Sequence, residues 1–458
     1  AMFVGRQKEL VELREAIHSD RKAAVLIYGK RRIGKSTLIS ETARDFEGIV
    51  IEHMCVRSSF DGNLALLNRD ISLAMGLPDM HFSNLEDIFS FLSTQKQPVL
   101  IVLDEYQYLK ESEKKGQVDS LMQNVIDHMA ENIKLVLCGS YISVMKELLE
   151  EENPLFGRFT CVMHIEEFDY LDASLFYPDA TTRDKIIYYA IFGGSPYVLS
   201  TIDTSVSLEQ NIKKLLIRST GILRIYIENV MLQEIGKAYD VRILEVIGNG
   251  KKKYSDIQSS LSRDNNGLLS KQLKNLSEME TIKKIFPINR PDDKKKSFYV
   301  IRDNLMRFYF TFVFGNDGVI ARIGEDAFYR QFIAGGLLEF VSRRFEDVAL
   351  QYFGRLARSG QRTDILDIGS FWYDDPVHKK NGEFDCVLRS EAGYEFYECK
   401  FYKNPMTEQE CIKEEKQLEE IPGVAVAVTG FVCPAGFDFS SDRYRLINGD
   451  ELFALTND

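Results

Sequence analysis

The sequence has little that would brace a small secreted fold or hold a metal through soft ligands. Its seven cysteines are scattered at 55, 138, 161, 386, 399, 411 and 433, an odd number with no C-x-x-C pair. This speaks against a disulfide framework and a zinc ribbon, and reduced thiols in a cytoplasmic protein are expected. The six histidines are equally scattered and never form H-E-x-x-H, so a histidine-based metal site has no support. No apolar run approaches the roughly 18 residues of a spanning helix, and no charged-then-apolar leader is read, so no membrane partner is expected. Internal repeats and low-complexity tracts are absent. The net charge of −12 argues against a chain coated in nucleic acid, while leaving room for one local basic surface.

What is present is ordinary globular material, 45% apolar and 28% charged over 458 residues, a length that divides into about three domains. Residues 23–28 (AAVLIY) read as a buried parallel strand. They run into Gly29, Lys30, Arg31, Arg32, Ile33, Gly34, Lys35 and Ser36, a complete G-x-x-x-x-G-K-S, and then into a helix-compatible stretch opening at Thr37. The two glycines let the loop curl so that its amide N–H groups face phosphate oxygens, and the helix N-terminus adds its dipole. Lys35 is expected to reach the β- and γ-phosphates and Ser36 to ligate Mg²⁺, with Gly29 to Thr37 as the nucleotide-binding set.

Residues 98–103 (PVLIVL) form a second buried strand that ends in Asp104 and Glu105. At such a strand end Asp104 would hold Mg²⁺ through water, and Glu105 would be the base that orients the attacking water. Ser140, after a strand at 133–139, either senses the γ-phosphate or simply caps that strand. With strands at 48–53 and 161–165, the pattern predicts an α/β, doubly wound P-loop NTPase domain over residues 2–167. ATP and Mg²⁺ are its expected cofactors.

The opening Phe3-Val4-Gly5-Arg6-Gln7-Lys8-Glu9-Leu10 resembles the F-x-G-R-x-x-E-L start of the archaeal-type ATPases, in the AAA+/STAND group of P-loop proteins. The phosphate loop, Cys138-Gly139-Ser140 and Gly193-Gly194-Ser195-Pro196 follow in that family's order, so the resemblance covers residues 2 to about 235. It implies that the opening segment lines the adenine pocket. It also implies that a helical lid, 168–237, brings the segment ending in Pro196 to the nucleotide. Arg158 stands where the family carries an arginine near the phosphates, which makes it an arginine-finger candidate; a surface ion pair is the alternative. Relatives of this kind often form rings, so a homo-oligomer and a monomeric switch both remain open.

Residues 238–303 change character. Helical stretches at 241–247, 254–261 and around Leu269, Leu273 and Leu276 are punctuated by Gly248-Asn249-Gly250 and Asn265-Asn266-Gly267. On the third helix Lys271, Gln272, Lys274 and Asn275 are expected to face away from the leucines. Strands at 282–286 and 298–301 then flank a turn at Pro291-Asp292-Asp293, and the whole reads as a winged helix-turn-helix. Residues 238–300 hold 13 Lys and Arg against 8 Asp and Glu, a balance of +5, with runs at Lys251–Lys253 and Lys294–Lys296. Double-stranded DNA is one expected partner, with the third helix in the major groove and the wing on phosphate. The alternative is that the module only packs against its neighbours.

The last segment, 304–458, begins with an aromatic run (RFYFTFVF) and a helix at 337–353 carrying Glu339 and Glu346. If Glu391 and Ala392 form a two-residue turn, hairpin partners have numbers summing to 783. Asp385 then lies opposite Glu398 and Glu383 opposite Lys400, with Glu398 and Lys400 on one face. Two carboxylates and an ammonium so placed suit an oxygen-bound Mg²⁺ and an activated water. The set Asp385, Glu398 and Lys400 resembles the PD-(D/E)xK nucleases, and the domain order matches the nuclease-like domain attached to archaeal ATPases. That resemblance implies an α/β restriction-endonuclease-like domain and adds Glu346 as a further metal-site acid. A helix at 408–420 carries Lys413 and Lys416, and a strand at 424–429 continues the sheet. The functions expected are an ATP-driven DNA-processing enzyme, a nucleotide-dependent switch with an inactive nuclease-like domain, or a DNA-binding regulator without cleavage.

Overall fold

A computed structural model describes residues 3–236, 240–261, 267–421 and 423–456. The chain divides into two compact units. One runs to Glu167 and includes Ser195–Tyr197; the other comprises Phe168–Gly194 and the chain from Val198 onward. No described helix is long and apolar enough to cross a membrane.

The first unit is built on β1 (Ala23–Tyr28), β2 (Ile49–Met54), β3 (Val99–Asp104), β4 (Ile133–Gly139) and β5 (Cys161–His164). They pair in the order β2-β3-β4-β1-β5, all parallel. Strand alternation sends Ala24, Leu26 and Tyr28 into one core and Ala23, Val25 and Ile27 into the other. The helices Phe60–Met75, Leu85–Ser93 and Gln117–His128 cover the first face, and Gln7–Ile17 and Lys35–Arg44 the second. Both faces are therefore dry, and β1 is buried along its whole length.

The second unit opens with short helices between Tyr170 and Ile235, Ser195–Tyr197 excepted. Helices Arg242–Ile247, Tyr254–Ser260 and Leu268–Glu278 follow, then the antiparallel pair β6 (Ile282–Ile285) and β7 (Phe298–Ile301). Leu269, Leu273 and Leu276 are buried as their spacing requires. Gln272 is buried with them rather than facing away, because it stands three residues after Leu269 and four before Leu276, on the same helical face. The turn residues Asn265 and Asn266 lie outside the described residues.

The chain ends in a mixed sheet of β8 (Ile365–Asp375), β9 (Lys380–Ser390), β10 (Gly393–Cys399), β11 (Val426–Cys433) and β12 (Arg445–Asn448), ordered β12-β11-β10-β9-β8. β8, β9 and β10 are antiparallel neighbours; β11 and β12 add parallel strands. The 22-residue helix Leu337–Arg358 packs Phe353 on Tyr397 of β10, ring centroids 4.4 Å apart, and Phe345 on Phe401 at 5.6 Å.

One buried ion pair braces the first unit behind β3. Asp119, fully buried, receives Lys110, the Tyr106 hydroxyl at 2.8 Å and the Asn153 amide at 3.0 Å. Truncating one partner of such a pair leaves the other charge uncompensated, at a cost of about 3–5 kcal/mol. Asp119→Ala is accordingly expected to lower the urea midpoint steeply. An unchanged midpoint would show that Lys110 finds water or Glu147 at no cost.

Candidate functional site

The residues expected at the phosphates leave from one edge of the parallel sheet. The loop after β1 has Arg32 at φ 61° and Gly34 at φ 101°, a left-handed curl that turns the backbone toward the helix Lys35–Arg44. Arg6, itself at φ 59°, ties this loop down: its guanidinium donates to the Ile33 carbonyl at 3.1 Å and to the Glu166 carbonyl. Lys35 is buried, and its ammonium donates to the Gly29 and Lys30 carbonyls, each at 2.7 Å. Pro196 approaches within 3.7 Å of where a Cβ on Gly34 would stand. Ser195 donates to the Arg32 carbonyl at 3.4 Å, and the Arg32 guanidinium lies over the Tyr197 ring at 4.3 Å. The Gly193–Pro196 motif thus meets the phosphate loop through its last two residues.

At the end of β3, Asp104 accepts the Ser36 hydroxyl at 3.2 Å, so the two expected Mg²⁺ ligands already touch. Both donors are hard oxygens beside a phosphate-binding loop, the chemistry that Mg²⁺ selects. Glu105 takes a left-handed backbone, φ 52°, with its N–H on the Asp104 carboxylate at 2.8 Å. Its Oε2 accepts Ser140 Oγ at 2.9 Å and Gln107 Nε2 at 2.5 Å, and Arg31 stands 3.9 Å away. Ser140 therefore engages Glu105 instead of only capping β4. Oε1 of Glu105 accepts no hydrogen bond among the described residues and is the oxygen that can orient a water.

Arg158 is placed away from the phosphate loop of its own chain. It precedes β5, and β5 runs parallel to β1 with Val25 opposite Cys161, so Arg158 lies at the edge opposite the phosphate loop. There it pairs with Asp127 at 3.0 and 3.3 Å and donates to the Pro154 carbonyl. The surface ion pair is what this chain builds. Gln107, Tyr108, Tyr141, Arg57 and Tyr197 are the residues at the edge that sequence reasoning missed.

The second unit holds a separate cluster of charges. The β9–β10 hairpin turns at Glu391-Ala392, and Ser390–Gly393 through Cys386–Tyr397 pair with numbers summing to 783. Past Cys386, β9 leaves β10 and pairs with β8 across a register shift, with Glu383 opposite Trp372. Neither expected ladder pair, Asp385 with Glu398 nor Glu383 with Lys400, is therefore made. Lys400 lies beyond the end of β10 and binds Glu398 at 3.1 Å and Glu414 at 3.3 Å. Burial alone would lower its ammonium; those carboxylates hold it above its ordinary value instead. Glu346, on the helix Leu337–Arg358, has its carboxyl pushed up to about 8, first by burial and then by Asp385, with Glu398 adding to the effect. Burial also raises Glu398. The four expected residues Glu346, Asp385, Glu398 and Lys400 thus share one electrostatic site.

Lys251 enters this cluster from the segment before the helix Tyr254–Ser260, binding Asp385 at 2.8 Å and Glu383 at 3.4 Å. Lys253 and Lys296 lie over the Trp372 ring, at 5.3 and 4.1 Å. Ile288 joins the core of the mixed sheet, and Asn289 brackets the Trp372 backbone at 2.7 and 2.9 Å. Both lysine runs are therefore partly engaged inside the unit; Lys294 and Lys295 remain exposed.

Residues 3–202 match the family described as an ATPase domain predominantly from Archaea, and residues 309–414 match DUF234, described as archaea bacterial proteins of unknown function. The uncharacterized protein MJECL04 of Methanocaldococcus jannaschii is 30% identical over 380 residues, covering 81% of this chain and 82% of the relative. The chain belongs to the family of that archaeal protein, and it joins an archaeal-type ATPase domain to a DUF234 domain. Among solved structures, the Walker-type ATPase PABY2304 of Pyrococcus abyssi is similar at 18% identity and a TM-score of 0.48, covering 67% of this chain and 96% of that one. The ORC2 protein of Aeropyrum pernix, in its ADPNP-ADP complexes, is similar at 14% identity and a TM-score of 0.39, covering 67% of this chain and 93% of that one. By its family and its P-loop the protein is an ATPase.

Because Arg158 lies at the far edge, Arg158→Ala is expected to leave ATP turnover within about twofold of the parent in a steady-state phosphate-release assay, the scale of a surface ion pair. A loss of 10²-fold or more, as expected for a finger, would mean that Arg158 serves the phosphates of another copy.

Proposed function

We propose that the protein hydrolyses ATP with Mg²⁺ at the P-loop edge and couples turnover to metal-dependent processing of double-stranded DNA by its C-terminal domain. The observation that carries the first part is the contact of Ser36 with Asp104 beside a Glu105 held by Ser140 and Gln107. Bound there by Ser36 and, through water, by Asp104, Mg²⁺ would neutralise charge building on the β- and γ-phosphates. Lys35 exchanges its loop carbonyls for phosphate oxygens, and Glu105 orients water through Oε1 and accepts its proton. In the second unit, the helices 242–278 and the β6–β7 pair are read as a winged helix-turn-helix and the mixed sheet as nuclease-like. Glu346, Asp385 and Glu398 offer oxygen ligands, and Lys400 a cation for a phosphodiester.

A second reading is favoured by Lys251, whose ammonium already satisfies Asp385 and Glu383. In that reading the protein is a nucleotide-dependent switch whose C-terminal domain does not cut.

Lys35→Ala is expected to abolish ATP binding, and Glu105→Gln to keep binding while stopping hydrolysis; normal turnover in either would move the hydrolytic site elsewhere. A Mg²⁺- or Mn²⁺-dependent cleavage assay on duplex DNA, with and without ATP, separates the two readings. Cleavage by the parent that is lost in Glu398→Ala supports the first. No cleavage by either, with ATP hydrolysis intact, supports the switch. Charge reversal at the exposed Lys294 and Lys295 is expected to weaken duplex binding and to reduce its salt slope by about one for each phosphate no longer neutralised. An unchanged slope would assign this segment to packing alone.

A further inference from the structure

Among the described residues, Arg57 stands at the phosphate edge with no acid to neutralise it. β2 ends at Met54, in register with Asp104, and the Cys55 N–H still donates to the Asp104 carbonyl at 2.9 Å. The next residue is clamped by Asn63, a buried side chain that accepts the Val56 N–H at 2.8 Å and donates to the Val56 carbonyl at 3.0 Å. Arg57 therefore leaves from pinned backbone at the same edge as Asp104, Glu105 and Ser140.

Its guanidinium donates to the Tyr141 hydroxyl at 2.5 Å and lies over the Tyr108 ring at 5.2 Å. The Tyr108 hydroxyl is 3.5 Å from that of Tyr141 and accepts Arg31 of the phosphate loop at 3.3 Å. Tyr108 and Tyr141 directly follow Gln107 and Ser140, the two residues that bond Glu105. The acceptor of Arg57 is a neutral phenol, which it can give up for a phosphate oxygen without baring a buried charge.

We propose that Arg57 is the arginine that contacts the γ-phosphate of ATP bound to the same chain, with Tyr141 and Tyr108 parking its guanidinium beside Glu105 until nucleotide arrives. The proposal rests on hydrolysis at the P-loop edge. It gives the site the intrasubunit cation that Arg158 does not supply, in a planar fork suited to a phosphoryl group spreading charge over its oxygens.

The test combines steady-state ATPase kinetics with separate ATP and ADP affinities. Arg57→Ala is expected to lower kcat roughly 10²-fold, the scale of one preorganised donor, and to weaken ATP binding while ADP affinity stays within about twofold. Arg57→Lys keeps the charge but not the fork and is expected to restore only part of kcat. Tyr141→Phe keeps Arg57 and removes its anchor, and a smaller loss of kcat with parental ADP affinity is expected. Turnover by Arg57→Ala within about twofold of the parent overturns the proposal. So does an equal loss of ATP and ADP affinity, the mark of a disturbed loop. Restored turnover on mixing Arg57→Ala with Lys35→Ala would show that Arg57 serves another copy and would also overturn it. If Lys35→Ala alone hydrolyses ATP normally, it is the P-loop assignment that fails, and Arg57 loses its role with it.

Discussion

The strands of the N-terminal sheet all run one way, and the chemistry of this protein depends on that constraint. In the order β2-β3-β4-β1, their C-terminal ends present Arg57, then Asp104 and Glu105, then Ser140, then the phosphate loop, side by side along one edge. No residue at the start of a strand can join them. Arg158 shows the consequence: close to β5 in sequence, it is a full strand length from the loop that its position in the family suggested. The crossover helices required by parallel pairing cover both faces, so the edge is also where irregular backbone can meet water and ligand.

Strain gathers at the same place. Of the five non-glycine residues with positive φ among those described, Arg6, Arg32 and Glu105 belong to the phosphate edge. Each such conformation costs on the order of 1–3 kcal/mol and persists only where packing dictates it. Here the Arg6 guanidinium links the loop to Glu166, and Asp104 caps the Glu105 N–H. The curl of the loop and the turn at Glu105 are thus each held by contacts within the chain itself.

What could be read from the sequence was what is contiguous or fixed by a short turn. The phosphate loop is one uninterrupted motif, and Asp104-Glu105 ends an apolar run that can only be a buried strand. Glu391-Ala392 fixes the hairpin register because a two-residue turn leaves no freedom in the sum of partner numbers. Gln107, Tyr108, Tyr141 and Arg57 carry no such signal: each is a single residue whose meaning lies in a neighbour from another strand. The edge position of Arg158 was available in principle, since a residue before a parallel strand must lie opposite a loop that follows one. The destination of Lys251 was not, because its partner Asp385 is 134 residues away and a lysine run reads the same on a solvated turn as in an ion cluster.

That ion pair also explains how a basic segment persists in an acidic chain. Among the described residues, Glu346, Glu383, Asp385, Glu398 and Glu414 gather about Lys251 and Lys400. Five carboxylates against two ammoniums, partly shielded from water, leave the cluster short of positive charge. Burial first, and the Asp385 charge after it, push the Glu346 carboxyl up to about 8. Any cation offered to Asp385 and Glu383 would compete with the Lys251 ammonium for the same oxygens.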